Sequence, residues 1–170
     1  MEDKYLKILE DFKLNHKSNK TTFKKIKKIN RKKLDDIFHL EHDTVFESID
    51  CLKCANCCKT TSPIFRDSDI KKLAKHFRIK THQFIDQYLK VDGDGDYVLR
   101  SAPCPFLWDD NVCSVYDVRP LACKEYPHTD RKNMYQVIDL TEKNTTICPA
   151  VCKIIENIEG KLETKPDKNR

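Results

Sequence analysis

The stretch CLKCANCCKT, residues 51 to 60, sets four cysteines into eight positions: Cys51, Cys54, Cys57 and Cys58. Five more follow at Cys104, Cys113, Cys123, Cys148 and Cys152, and none lies before residue 51 or after residue 152. In a C-x2-C turn the chain curls so that both sulfurs point inward and share one metal without a long loop to close. Repeating the unit adds a third ligand. Zinc takes four thiolates as a tetrahedron, and an iron–sulfur cube takes one thiolate on each iron. Disulfides explain the pattern poorly. An odd count leaves a thiol over, and a Cys57–Cys58 bridge between neighbours would be strained. Charges interrupt every apolar run of the opening segment MEDKYLKILEDFKLNHK, so neither a signal peptide nor a membrane span is expected. A cytoplasmic location, where thiols stay reduced, follows as the expectation.

Spacing alone leaves the partition of these thiols open. Cys51, Cys54 and Cys57 match the first three ligands of a bacterial ferredoxin run, whose fourth cysteine precedes proline; here Cys104-Pro105 and Cys148-Pro149 carry that dipeptide. Zinc satisfies the same spacing. Adjacent residues project in different directions, so Cys57 and Cys58 suit neighbouring sites better than one shared ion. Cys113 and Cys123 bracket the SVYDVRPLA turn, and Cys148 and Cys152 share one helical face at i, i+4. Nine thiols supply two four-ligand sites with one left over. Arg119 has two readings: it offsets thiolate charge and donates to sulfur, or it pairs with Asp109 or Asp117. Tyr116, Tyr126, Phe106 and Trp108 read as aromatic shielding around the sulfurs.

Periodicity predicts a mainly α fold with a short β-hairpin. Residues 3–14 carry Tyr5, Ile8, Leu9 and Phe12 on one stripe. Residues 21–40 read as a second helix with Phe23, Ile26, Leu34, Ile37 and Phe38, capped by Thr21 or Thr22. Two more are expected at 65–80 and 81–90, with Thr81 capping the latter. VDGDGD (91–96) is a solvated turn and not a calcium loop. Tyr97 stands where that loop needs glycine, and Pro103 where it needs its closing glutamate. WDDN (108–111) marks the hairpin turn, RPLACKEYP a short helical turn, and Pro149 opens the last helix. The expected organisation is a basic helical extension (1–45), a metal-stabilised cysteine-cluster domain (46–160) and a flexible tail (161–170).

Several chemistries lack their parts. The 170 residues include only three glycines, too few for a phosphate loop, a dinucleotide fingerprint or the usual methyl-donor loop. Cys51, Cys54 and Cys57 are one residue too tight for the C-x3-C-x2-C of radical S-adenosylmethionine enzymes. No H-E-x-x-H occurs, and His39 and His42 read as surface residues. His128 lies near Cys123 in sequence, but a thiolate held by metal is a poor nucleophile. The net charge is +5, and ten basic residues with no acidic one occupy Lys13 to Lys33. That run is a solvated face, or a surface for an acidic protein partner or a nucleic acid.

Together CLKCANCC, CPFL, CSVYDVRPLACKEYP and the Cys148-Pro149 pair resemble the YkgJ-type cysteine-cluster family, the CxxCxxCC zinc- or iron-chelating domain. The resemblance runs over roughly residues 46 to 152. It implies a metal-chelating protein holding an iron–sulfur cluster or Zn2+ in a redox or enzyme-associated role. It implies Cys51, Cys54, Cys57, Cys58, Cys104, Cys113, Cys123 and Cys148 as the ligand set, with Cys152 outside it. Arg119-Pro120 and Tyr126-Pro127 match the family's fixed RP and YP elements, which places Arg119 beside the cofactor. Asn56 stands where many members have glycine. Some relatives are described as flagellin lysine N-methylases, so a protein-modifying enzyme is one implied alternative. A zinc-stabilised interaction module presenting the basic helix is the other.

Overall fold

The computed structural model describes residues 1–163. The tail expected from residue 161 lies outside the described residues from Thr164 onward, while residues 161–163 close the last helix. The chain is mostly helical with one two-stranded antiparallel hairpin, and it divides into two compact units. The first is built from residues 1–51 and 127–163, the second from residues 52–126.

In the first unit, α1 (Asp3–Leu14), α2 (His16–Ile26) and α3 (Arg31–Phe46) pack on α10 (Pro149–Glu163). Each helix buries one stripe: Tyr5 and Phe12, then Phe23 and Ile26, then Leu34, Phe38 and Val45, against Ile154, Ile155 and Ile158. Each such side chain, fully buried, contributes about 1.5–3 kcal/mol. The single helix expected over 21–40 is two. Asn30 caps α3, its side-chain oxygen accepting from the Lys32 N–H at 3.1 Å, so the chain turns between Ile26 and Arg31. Thr22 is accordingly no cap. It is buried within α2 and donates to Glu159 Oε1 at 2.7 Å.

Buried Thr22, Glu41 and Asn144 here each have a hydrogen-bond partner. Glu41, 2 % exposed, accepts from Asn157 Nδ2 at 2.9 Å and pairs with Lys161. The Asp35 carboxylate takes the N–H groups of Asn133 and Met134, both at 2.8 Å, and so anchors the 3₁₀ turn Met134–Gln136 ahead of α9 (Ile138–Asn144). Tyr5 OH accepts the Asp50 N–H at 3.0 Å, tying α1 to the residue before the first cysteine.

The second unit has its own core: Phe65, Ile70, Leu73, Ala74, Phe84, Leu89, Leu99, Phe106 and Val115. It is built on α6 (Asp67–His76) and α7 (Thr81–Tyr88), followed by strands β1 (Leu89–Val91) and β2 (Tyr97–Leu99). The paired hairpin therefore turns at VDGDGD, where Asp92 Oδ1 accepts from the N–H groups of Asp94 at 3.0 Å and Asp96 at 2.9 Å. Asp-Gly chemistry closes this turn, and WDDN closes only a single bridge between Leu107 and Cys113. Phe77, Phe84, Tyr88 and Phe106 form an aromatic stack with centroids 5.0–6.2 Å apart. Phe106 and Val115 are each two residues from a cysteine, Cys104 and Cys113, so the hydrophobic core holds the thiol-bearing segments in place.

Candidate metal centre

The first cysteine block folds as two short helices, α4 (Cys51–Cys54) and α5 (Asn56–Thr60). They meet at Ala55, whose φ of 49° lies in the left-handed region. The sharp reversal thus falls one residue before Asn56, where the family resemblance placed a glycine. On α5, Cys57 and Cys58 stand with their sulfurs 4.0 Å apart.

Cys58 is the focus of the second unit. Its carbonyl accepts the Cys104 N–H at 2.8 Å, which joins the CANCC block to the CPFL block. Cys113 enters from the return side of the WDDN turn, where the Trp108 N–H donates to Val112 O at 2.9 Å and the Ser114 N–H to Phe106 O at 2.8 Å. Cys123 is brought in by α8 (Leu121–Glu125), the helical turn that follows Pro120, its N–H donating to Pro120 O at 3.0 Å.

These four thiols act on one another electrostatically. The Cys57 thiol beside it draws Cys58 down to about 7, assisted by Arg119 and Lys59 and opposed by burial. Burial pushes Cys104 up to about 11, and the charges of Cys58 and Cys113 add to it. Burial pushes Cys123 up to about 12, with Cys58, Cys104 and Cys113 adding. Cys113 is raised by burial and again by Cys58. One anion at Cys58 therefore disfavours ionisation at the three others, as a like charge does at close range. Among the described residues, however, no three His, Cys, Asp or Glu side chains are drawn together closely enough to hold a single ion as they stand.

Arg119 supplies the positive charge. It lowers the thiol pKa of Cys58, Cys113 and Cys123. Its guanidinium lies 3.8 Å over the Tyr116 ring, and it forms no ion pair with Asp109 or Asp117. Its Nε is buried with no hydrogen-bond partner, a donor for which an acceptor such as a metal-bound sulfur would compensate. An all-sulfur donor set with an adjacent buried N–H fits a soft metal or an iron–sulfur cluster.

The other four expected ligands are placed individually. Cys51 is exposed at the start of α4, and Cys54 is buried, its thiol raised by that burial. Cys57 is half-buried and its carbonyl accepts from the Thr61 N–H at 3.0 Å. Cys148 sits just before α10, half-buried, its N–H bonded to Asn144 O at 2.8 Å. Cys152 is 0 % exposed and donates its S–H to Thr145 O at 3.1 Å. Burial strongly raises its thiol pKa, which is the condition of a packed, inert cysteine.

The sequence reading missed two residues. Asp69 is buried on α6, where Oδ2 accepts the Arg66 N–H at 3.3 Å and Oδ1 accepts the Leu121 N–H at 3.2 Å. Lys72, one turn on, donates to Arg119 O at 3.1 Å. Asp69 is visible in sequence only as a helix-start carboxylate. Nothing there signals that its second oxygen reaches the RPL turn.

The model of a cysteine-rich domain family matches residues 50–154, more than half of the chain, and this span encloses all nine cysteines. The chain belongs to the CxxCxxCC family. This family is described as a zinc- or iron-chelating domain, so metal chelation is the activity of the CxxCxxCC domain here. No curated protein and no solved structure was found to match the chain. Among the described residues, no helix is long and apolar enough to cross a membrane.

Proposed function

We propose that Cys58, Cys104, Cys113 and Cys123 bind an iron–sulfur cluster and that the protein serves a redox or enzyme-associated role. One observation carries this reading. The charge on Cys58 bears on Cys104, Cys113 and Cys123 alike, and Arg119, which acts on Cys58, Cys113 and Cys123, keeps a buried Nε–H that sulfur can accept. Four cysteines from separate segments match a cube, which takes one thiolate on each iron. Bound, such a cluster supplies one-electron transfer. Arg119 offsets the thiolate charge and offers its Nε–H to sulfur, and stacking on Tyr116 holds the guanidinium in place. Protein purified without oxygen is expected to be brown, with a broad absorption band at about 400 nm from sulfur-to-iron charge transfer. Colourless protein carrying stoichiometric zinc would replace this reading with a structural zinc site.

A second reading concerns the first unit. All ten basic residues from Lys13 to Lys33 are exposed, and among the described residues only Lys27 of these is in an ion pair, with Asp139 at 2.7 Å and Glu142 at 3.8 Å. Lys17, Lys20 and Lys24 line the outer face of α2, opposite buried Asn19, Phe23 and Ile26. We propose that this face binds an acidic protein segment. Reversing the three lysines to glutamate should weaken binding of a polyglutamate probe at low salt at least roughly tenfold, the scale expected when several charges are inverted. Binding of duplex DNA but not polyglutamate would reassign the face to nucleic acid, and binding of neither would end the reading.

A further inference from the structure

We infer that Asp69 and Lys72 are positioning residues that fix Arg119 against the thiol centre. This rests on the proposed thiol centre and goes one step beyond it. Arg119 sits in a non-helical segment, between the 3₁₀ turn Tyr116–Val118 and α8, with φ −55° and ψ 152°. Its own N–H makes only a long bond, to Tyr116 O at 3.5 Å, and its buried Nε–H is a donor kept beside the cysteine-bearing segments. The restraint comes from α6. Asp69, 4 % exposed, accepts from the Leu121 N–H at 3.2 Å, and Lys72 Nζ donates to Arg119 O at 3.1 Å. The two side chains thus grip the backbone on either side of Pro120, one as acceptor and one as donor. They stand 3.8 Å from each other, so each also compensates the other's charge. Asp69 is held in turn by the Arg66 N–H at the start of α6 and buried beside Ile70 and Leu73, which fixes the clamp to the second unit's core.

The arrangement divides the labour. Among the described residues Arg119 forms no ion pair and its Nε has no hydrogen-bond partner, so its side chain is available to sulfur. Tyr116 supports its guanidinium, and the Asp69 and Lys72 contacts fix its backbone. A carboxylate as deeply buried as Asp69 is costly unless its oxygens are all engaged, and here both are engaged by main-chain N–H groups. A helix start needs only one of these bonds. The bond to Leu121 spans 52 residues and serves the Arg119-Pro120 turn.

The test uses the full chain, stripped of metal and titrated with Co2+ as the probe, because Co2+ reports thiolate ligation by its absorption whichever metal is native. Arg119→Gln should weaken Co2+ binding about tenfold or more, the range seen for partners that support metal ligands. Asp69→Asn and Lys72→Met should weaken it by a similar factor while the sulfur-to-cobalt band keeps its intensity. The combination Lys72→Met with Arg119→Gln should lose no more than Arg119→Gln alone, since both changes remove one effect. Additive losses, or no loss in either clamp variant while helix content is unchanged, would overturn the inference. If Asp69→Asn does not fold, Lys72→Met, at a half-exposed residue, carries the same test alone. Failure of the unaltered chain to bind Co2+ through sulfur would instead bring down the thiol centre itself.

Discussion

Replacing Cys58 by serine should empty the second unit of metal and remove its cooperative unfolding. Cys58 is the thiol whose charge reaches Cys104, Cys113 and Cys123 alike, and its carbonyl holds the Cys104 N–H. Losing it deletes a ligand and loosens the segment that delivers another. A structural metal can contribute ~10–16 kcal/mol of apparent binding energy, more than most domains have in reserve. The matched control is Cys152→Ala. That sulfur is buried in α10 of the first unit and bonded to Thr145 O, so its loss should cost only about 1–3 kcal/mol of packing and hydrogen bonding and leave metal content unchanged. Metal analysis and thermal melts of the two variants separate the roles. Equal loss of metal from both would mean that the division between ligand and core cysteine is wrong.

The second large effect belongs to Phe38→Ala. Phe38 is 0 % exposed on α3, the helix that packs on both α10 and the Met134–Gln136 turn. Truncating a buried phenylalanine costs about 3–5 kcal/mol through lost transfer energy and the cavity left behind. Urea unfolding followed by far-ultraviolet circular dichroism should show that loss in the helical signal. Trp108, the chain's one tryptophan, lies in the second unit and serves as a separate reporter there. A change in the helical transition of less than about 1 kcal/mol would place Phe38 outside any core.

The fold was legible where one apolar stripe repeats at helical spacing. Segments 3–14 and 149–163 form helices at their expected limits, and 65–80 and 81–90 hold the shorter α6 and α7, because Tyr5 and Phe12, Ile154 to Ile158, Ile70 and Leu73, and Phe84 find partners on one face. The break between α2 and α3 was hidden because the apolar spacing continues across it. The deciding signal was Asn30, while Thr22, which looks like a cap, is committed to Glu159 far along the chain. Leu89 reads as a last helical residue but begins β1, since the Asp92 turn sets the hairpin register.

For the candidate site, residue types and spacing announced a sulfur-rich centre, and composition alone supplied the donor inventory. The grouping of Cys58 with three distant cysteines was not legible. It depends on where the Phe106 and Val115 segments settle in the aromatic core. The two readings of Arg119 were likewise undecidable from sequence, because Asp109 and Asp117 lie equally close along the chain. The structure leaves both carboxylates unpaired with it and sets the guanidinium on Tyr116. Asp69 and Lys72 look like ordinary charges of a helix start, and only their reach to the RPL turn gives them another role.

The central claim, that sulfur from four separated segments of the second unit binds one inorganic centre, is tested most directly by X-ray absorption at the metal edge of protein purified without oxygen. The expected spectrum shows iron in a shell made of sulfur alone at about 2.3 Å, the distance set by thiolate ligation, with iron–iron scattering behind it, and that signal is lost in Cys58→Ser. A shell dominated by oxygen or nitrogen, or a sulfur shell that survives Cys58→Ser unchanged, would contradict it.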